Sequence, residues 1–229
     1  MASDVHRTGS GPGSAAHGQG LRGRNDVLGV VFAGGAGARV GGKDKGLLPF
    51  AERPLIEHVL ECLHPQCGRV LIVANRNLDA YAGYAPAIHD EGPGCAGPLA
   101  GLLAAFGFLC ANRHALPRWL LSVPVDCPDP PRDLAARMGA ALSAHPDASC
   151  AYAECGGKPQ PLFALYRIGP DPAVWQASAR SALHGHGSPW RWHAALRAVA
   201  TGFDDAGDAF HNLNTPGDFQ RFERVHGRS

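Results

Sequence analysis

The sequence lacks any hydrophobic run close to the ~20 residues that a helix needs to cross a bilayer. It also lacks an apolar stretch near its start of the kind that forms a secretory signal peptide. We therefore expect a cytoplasmic protein with no membrane partner. An excess of one charge is missing too, because 21 Lys and Arg residues stand against 20 Asp and Glu residues. A net charge of +1 is too small to hold a nucleic acid by its field alone, so no nucleic-acid partner is expected.

Sequence spacings that mark metal sites and covalent catalysis are missing as well. No CxxC pair and no zinc-type spacing of Cys and His occurs, which favours reduced cysteines without disulfides or structural zinc. The seven cysteines are Cys62, Cys67, Cys95, Cys110, Cys127, Cys150 and Cys155. No GxSxG motif and no single plausible Cys–His pair argues for acyl transfer.

The composition supports a folded domain preceded by a tail. Hydrophobic residues make up 45% and charged residues 18% of the 229 residues, enough to bury a core. Residues 1–26 are rich in Gly, Ser and Ala and have no apolar periodicity, so we predict a disordered tail there. Residues 27–229 are predicted to form one domain.

Short apolar runs alternate with helical patterns along this domain. The predicted strands are 27–33, 70–74, 87–89, 119–123, 148–153 and 162–166, and the predicted helices are 54–63, 98–111, 130–144 and a last one from Pro216. Repeated strand–helix–strand units require right-handed crossovers. The pattern predicts an α/β fold with an open, mostly parallel sheet and helices on both faces. Ligands of such sheets lie beyond the carboxyl ends of the strands.

A glycine-rich segment, 34–46, follows the first strand and is typical of a phosphate-binding loop. The dinucleotide-binding motif GxGxxG fails because Val40 stands where its last glycine would be. The Walker motif fails because Asp44, not Ser or Thr, follows Lys43. The interpretation that remains is a phosphate-binding loop whose residue spacing differs from both motifs.

Lysine is scarce in this chain, and its placement is informative. Arginine occurs eighteen times and lysine three times, at Lys43, Lys45 and Lys158, so two of the three lie in the glycine-rich loop. A compact ammonium where arginine is otherwise preferred suggests a phosphate contact, with Arg39 as a further cation. The alternatives are that two of the three lysines lie in this loop by chance, and that Arg39 is a solvated loop charge.

Polar residues follow three later strands. Asp126 comes directly after the fourth strand between two prolines, where a carboxylate could bind Mg²⁺ on a nucleotide or form an Asx turn. Asp90 ends the third strand, and could bind ribose or base or cap the turn. Asn75 follows the second strand, where it could donate to a ligand or belong to a plain loop. The start of the helix at Pro98 could approach a ligand or pack tightly on the sheet.

Near the end of the chain, Asn212 and Asn214 are one strand period apart and could bind a polar heterocycle. Thr215 is predicted to cap the last helix, with Pro216 at its first position.

Six ordered blocks make the sequence resemble the molybdenum cofactor guanylyltransferases over residues 27–226. The blocks are FAGGAGARVGGKDKGLLPF, IVANRN, HDEGPGCAGPLAG, PVDCPDPP, QPLFALYR and FHNLNTPGDF. The resemblance implies a Rossmann-like nucleotidyltransferase sheet and an enzyme that uses GTP and Mg²⁺ to attach GMP to molybdopterin or molybdenum cofactor, releasing pyrophosphate. It also implies a monomer that contacts other cofactor-biosynthesis proteins and apo-molybdoenzyme chaperones.

The resemblance assigns roles to individual residues. Asp126 would be the magnesium ligand, Lys45 the phosphate-binding lysine, and Asn212 and Asn214 the pterin-binding pair. With Asn75 included, the predicted nucleotide contacts are Phe32, Ala33, Gly34, Gly35, Lys45, Asn75, Asp90 and Asp126. The predicted catalytic set is Arg39, Lys45 and Asp126.

Two features of the resemblance bear on specificity and on the last helix. Gly34 and Gly35 favour guanine, because related cytidylyltransferases usually have Ala-Gly there. Gly217 stands where the family commonly has an acid, so an acid that would favour the helix dipole is expected to be missing. A cytidylyl- or sugar-phosphate nucleotidyltransferase, and a non-catalytic pterin-cofactor carrier, remain as alternatives.

Overall fold

The computed structural model describes residues 21–34, 44–90, 97–185 and 187–226. Its strands are β1 (Val27–Phe32), β2 (Pro49–Phe50), β3 (Arg53–Pro54), β4 (Arg69–Ala74), β5 (Ala87–His89), β6 (Trp119–Pro124), β7 (Cys150–Cys155), β8 (Lys158–Arg167) and β9 (Val199–Gly202). Its α-helices are α1 (Leu55–Leu63), α2 (Leu78–Ala82), α3 (Pro98–Ala111), α4 (Leu134–Ala144), α5 (Ala173–Gly185), α6 (Pro189–Ala195) and α7 (Pro216–His226).

Seven of these strands form one sheet in the order β5-β4-β1-β6-β8-β7-β9. The pairs β5–β4, β4–β1, β1–β6 and β7–β9 are parallel. Only β8 runs the other way, antiparallel to both β6 and β7. The predicted open, mostly parallel α/β sheet is therefore confirmed.

Side chains on a strand alternate between the two faces of the sheet, and buried clusters cover both faces. In β1, Val27 and Val31 belong to a buried cluster that includes α1 and α4. Leu28 and Val30 belong to a second cluster that includes α3, α5 and α6. Helices on both faces, as predicted, thus enclose two separate cores.

Several elements differ from the sequence-based prediction. The strand predicted at 148–153 lies at Cys150–Cys155. The helix predicted at 130–144 begins at Leu134, because the preceding residue, Asp133, has a non-helical backbone with φ of −119° and ψ of 13°. The elements β2, β3, β9, α2, α5 and α6 were not predicted. Strands β7 and β8 form a hairpin closed by Gly156 and Gly157, whose φ values of 57° and 68° favour glycine.

The packed part of the chain begins before the predicted domain boundary at residue 27. Leu21 packs against the cluster that includes α1 and α4, and Arg24–Asp26 form a 3-10 turn. Leu21 and this turn, which the sequence analysis included in the tail, therefore adjoin the sheet domain. Residues 1–20 lie outside the described residues.

A third, smaller buried cluster joins distant segments. It contains Phe50, Leu55, Leu213 and Phe222, with Phe219 packed against it. These residues come from β2, α1, the segment before α7, and α7 itself. The cluster holds the end of the chain beside the segment that follows the glycine-rich loop.

Candidate active site

The polar residues singled out in the sequence follow strands that end at the same edge of the sheet. Strands β1, β4, β5 and β6 are mutually parallel neighbours, so their carboxyl ends lie side by side. Gly34, Asn75, Asp90 and Asp126 follow these four strands closely. This is the edge at which an open α/β sheet binds its ligands.

Gly34, Asn75 and Asp90 meet at one part of this edge. A methyl group placed on Gly34 would lie 3.6 Å from Asp90 Oδ2 and 3.8 Å from the backbone nitrogen of Asn75. Glycine therefore leaves the space between these two polar groups open. His89 Nδ1 lies 3.3 Å from Asp90 Oδ1, and the Asp90 side chain is 18% exposed. The predicted nucleotide contacts Gly34, Asn75 and Asp90 are thus brought together.

Lys45 joins two other segments at the centre of the edge. Its ammonium donates to Asp126 Oδ2 at 3.2 Å and to Asn214 Oδ1 at 2.7 Å. The Lys45 and Asp126 side chains are 19% and 21% exposed, so the pair is largely enclosed but still reaches solvent. Three predicted site residues from distant parts of the sequence therefore form one hydrogen-bonded group.

Asn212 is held beside Asp126 by a cysteine. The Cys127 thiol donates to Asn212 Oδ1 at 2.8 Å. Burial raises the pKa of Cys127, and the charge of Asp126 raises it further, so the thiol stays protonated and can donate. Between the two asparagines, Leu213 is fully buried and its amide donates to the Asp126 carbonyl at 2.8 Å. The predicted pterin-binding pair therefore lies at the same site as Lys45.

Phe32 and Ala33 are tied into the sheet. The Phe32 carbonyl accepts from the Val125 amide at 3.0 Å, and the Ala33 amide donates to the Val73 carbonyl at 2.8 Å. A methyl group on Gly101 of α3 would lie 2.8 Å from the Phe32 ring, so this glycine allows tight packing of α3 on the sheet. Gly34 is therefore the described residue of this stretch best placed for a nucleotide contact.

Asp44, which the sequence analysis treated only as a departure from the Walker motif, has a defined place. Its carboxylate accepts from Asn77 Nδ2 at 2.9 Å and from the Tyr81 hydroxyl, and lies 3.7 Å from Arg76 Nε. The Asp44 side chain is 5% exposed. Burial raises the pKa of Tyr81, and its bond to Asp44 raises it further, so the phenol remains a donor. An acid next to a scarce lysine, with Asn and Arg after β4, is the sequence signal that could have revealed this contact.

The start of α7 corrects one expectation about this segment. Thr215 Oγ1 accepts from the Asp218 amide at 3.3 Å, as predicted for a helix cap. The Asp218 carboxylate in turn accepts from the amides of Asn214 and Thr215 at 3.0 and 2.8 Å. The expectation of a missing acid at the helix start is wrong, because Asp218 supplies one a residue after Gly217.

The predicted contacts Gly35 and Arg39 lie outside the described residues. Within the described part of the chain, no group of three or more His, Cys, Asp or Glu side chains could hold a metal ion by itself. A single carboxylate at this edge, such as that of Asp126, could share a metal ion with nucleotide phosphates. No helix among the described residues is long and apolar enough to span a membrane.

Comparisons with known proteins show the family to which this chain belongs. A family model described as a MobA-like NTP transferase domain matches residues 29–210. The molybdenum cofactor guanylyltransferase of Shewanella loihica is 40% identical over 190 residues, covering 82% of this chain and 90% of its own. The one from Methylibium petroleiphilum is 39% identical over 210 residues, covering 88% and 97%.

A solved structure shares the fold. Molybdopterin-guanine dinucleotide biosynthesis protein A from Archaeoglobus fulgidus superposes with a TM-score of 0.68 at 22% identity, covering 88% of this chain and 100% of its own. The family resemblance drawn from the six sequence blocks is thus confirmed. The chain is a nucleotidyltransferase of the MobA-like NTP transferase family and belongs, within it, to the molybdenum cofactor guanylyltransferases.

Proposed function

We propose that this protein transfers GMP from GTP to the phosphate of molybdopterin or molybdenum cofactor, forming the guanine dinucleotide cofactor and pyrophosphate. The observation that carries the proposal is the contact of Lys45 with both Asp126 and Asn214. Gly34, Asn75 and Asp90, which suit a nucleotide, follow the neighbouring parallel strands β1, β4 and β5. Asn212 accepts from Cys127, the residue after Asp126, so the same edge of the sheet offers places for both substrates.

The reaction requires no nucleophile from the protein. A phosphate oxygen of the acceptor attacks the α-phosphorus of GTP, the bond between the α- and β-phosphates breaks, and pyrophosphate leaves with the electron pair. The protein contributes mainly by positioning the two substrates and stabilising charge. Lys45 would stabilise the charge that passes to the departing pyrophosphate, with Arg39 as a second cation.

Asp126 is the residue we propose to hold Mg²⁺. Magnesium at nucleotide sites is held by one or two carboxylates together with phosphate oxygens and water. Asp126 Oδ2 accepts from Lys45, while the contact given for its Oδ1 among the described residues is a weak one with the Cys127 thiol at 4.0 Å. When bound, the metal would neutralise phosphate charge. Lys45 and Asp126 would then act on the same group of phosphates from neighbouring positions.

The first experiment identifies the nucleotide and the acceptor. Purified protein is incubated with GTP, CTP, ATP or UTP and Mg²⁺, without an acceptor, with molybdopterin or with a sugar phosphate, and pyrophosphate release is measured. We expect release with GTP only when molybdopterin is present. Preference for CTP would indicate a cytidylyltransferase, and release with a sugar phosphate as acceptor a sugar-phosphate enzyme. Molybdopterin binding without turnover of any nucleotide would indicate a carrier.

A second experiment tests the metal ligand. In Asp126→Asn, the dependence of GTP turnover on Mg²⁺ concentration should be lost together with most of the activity. Asp147→Asn is the matched control, because Asp147 is exposed in the loop before β7, at the opposite edge of the sheet. A normal Mg²⁺ dependence in Asp126→Asn would place the metal on another residue.

A further inference from the structure

A buried carboxylate lies directly before the phosphate-binding lysine in the sequence. Both Asp44 oxygens accept hydrogen bonds, Oδ1 from the Tyr81 hydroxyl and Oδ2 from Asn77 Nδ2, and Arg76 Nε lies 3.7 Å from Oδ2. We call these four residues, Asp44, Arg76, Asn77 and Tyr81, the Asp44 clamp. A carboxylate that is 5% exposed is stable only when its charge is compensated, and here two hydrogen bonds and the nearby Arg76 guanidinium compensate it.

The clamp connects two segments that carry proposed substrate contacts. Asp44 precedes Lys45, which begins the 3-10 turn Lys45–Leu47. Arg76 and Asn77 come directly after Asn75 at the end of β4, and Asn77 has a left-handed backbone with φ of 54°. The clamp therefore ties the lysine that would contact the phosphates to the segment that would contact the nucleotide.

Close packing restricts the clamp further. A methyl group on Gly46 would overlap the Tyr81 hydroxyl oxygen and lie 3.0 Å from Val125 Cγ2. Tyr81 itself is fully buried. The turn that carries Lys45 therefore fits against Tyr81 in one arrangement, which favours a fixed position for the start of the lysine side chain.

We propose that Asp44 is a positioning residue for Lys45. By anchoring the turn to Arg76, Asn77 and Tyr81, it sets where the Lys45 ammonium lies relative to the nucleotide, and it does so without contacting substrate. This inference rests on the proposed function, in which Lys45 stabilises the departing pyrophosphate. It predicts that the clamp matters for catalysis only while Lys45 is present.

The test is a double-mutant cycle on GTP turnover. Asp44→Asn keeps the shape but replaces one acceptor oxygen by an NH₂ group, which would face donors from Asn77 or Tyr81. Because a misplaced catalytic group typically costs about 10- to 100-fold, kcat should fall by that factor with a smaller change in the KM for GTP. In the Lys45→Ala background, the same change should lower kcat by less than about threefold, because residues that act as a unit are not additive.

Asp79→Asn is the matched control, since Asp79 is exposed on α2 two residues before Tyr81. It should leave kcat unchanged in both backgrounds. If Asp44→Asn fails to fold, Tyr81→Phe replaces it in the cycle, because it removes one donor and leaves the charge in place. Losses that multiply in the double variant, or full activity in the single variant, would overturn the proposal.

Binding of pyrophosphate separates failure of this inference from failure of the proposed function. Calorimetry with Mg²⁺ and pyrophosphate measures the Lys45 contact whatever the base or acceptor is. If wild-type protein does not turn over GTP, the proposed function fails, and the same cycle on pyrophosphate affinity still judges the clamp. Asp44→Asn should weaken the affinity for pyrophosphate when it is introduced into the wild-type protein and leave it unchanged when it is introduced into Lys45→Ala. Equal weakening in both backgrounds would overturn the inference.

Discussion

Replacing Lys45 by alanine should separate catalysis from stability. The change removes the ammonium that lies 3.2 Å from Asp126 Oδ2 and 2.7 Å from Asn214 Oδ1. If this ammonium stabilises charge on the departing pyrophosphate, its loss should resemble the loss of one preorganised donor. Turnover of GTP should then fall about 10²- to 10³-fold, equivalent to roughly 3–4 kcal/mol.

The effect of the same change on stability should be far smaller. The two side chains of the ion pair are 19% and 21% exposed, so solvent screens part of their attraction. Partly exposed pairs contribute about 1 kcal/mol or less. For a chain of this size, that corresponds to a fall in Tm of at most about 2–4 °C. The activity should therefore collapse in a protein that remains folded.

The assay is steady-state pyrophosphate release with saturating molybdopterin, combined with thermal unfolding of each variant. Lys45→Arg should also be impaired, because a planar guanidinium does not fit where a compact ammonium contacts two oxygens. Arg191→Ala removes an exposed cation on α6 and serves as the control with normal turnover. Turnover of Lys45→Ala within threefold of wild type, with Tm preserved, would refute the role of Lys45.

Two further predictions concern stability. Burial lowers the pKa of His193 to about 4, whereas an unfolded histidine titrates near 6.5. Between pH 6.5 and pH 4, residue 193 therefore binds a proton in the unfolded chain but not in the folded protein. As the pH falls from 6.5 to 4, the free energy of unfolding should decrease by about 3 kcal/mol. Urea unfolding at pH 7 and pH 4 measures this decrease in wild type and in His193→Gln. The decrease should be smaller in His193→Gln by the same amount, and an equal decrease in both proteins would contradict the prediction. Gly46→Ala should cost about 1–3 kcal/mol through overlap with Tyr81, measured by urea unfolding at pH 7. Gly169→Ala is its control, because a methyl group there would meet no atom within 4 Å, and equal stability of the two variants would contradict the packing argument.

The sequence predicted the central part of the sheet well, because buried parallel strands are continuous apolar runs. The strands predicted at 27–33, 70–74, 87–89 and 119–123 match β1, β4, β5 and β6 to within a residue or two at either end. The sequence did not predict β9, since its four residues VATG form no apolar run, and only pairing with β7 makes them a strand. Helices α5 and α6 were not predicted, although the buried residues of α5, Trp175, Ala179 and Ala182, have the i, i+4, i+7 spacing of an amphipathic helix.

The candidate functional edge of the sheet was predictable because its residues follow strands directly. Asn75, Asp90 and Asp126 needed only the rule that parallel strands end at one edge. The contact between Lys45 and Asn214 was not predictable in this way, because 169 residues separate them. It depends on the small cluster in which Leu213 packs with Phe50, a contact that no local pattern encodes.

The proposed role of Asp44 explains how an acid can stand next to a lysine that is proposed to bind phosphate. An acid beside bound phosphate would oppose binding if its charge faced the ligand. Here the Asp44 carboxylate faces Arg76, Asn77 and Tyr81 instead, while the Lys45 ammonium faces Asp126 and Asn214. Asp44 and Lys45 thus contact different partners, and in the proposed role the charge of Asp44 fixes the turn Lys45–Leu47. The same residue that rules out a Walker motif can therefore serve a cradle of another kind.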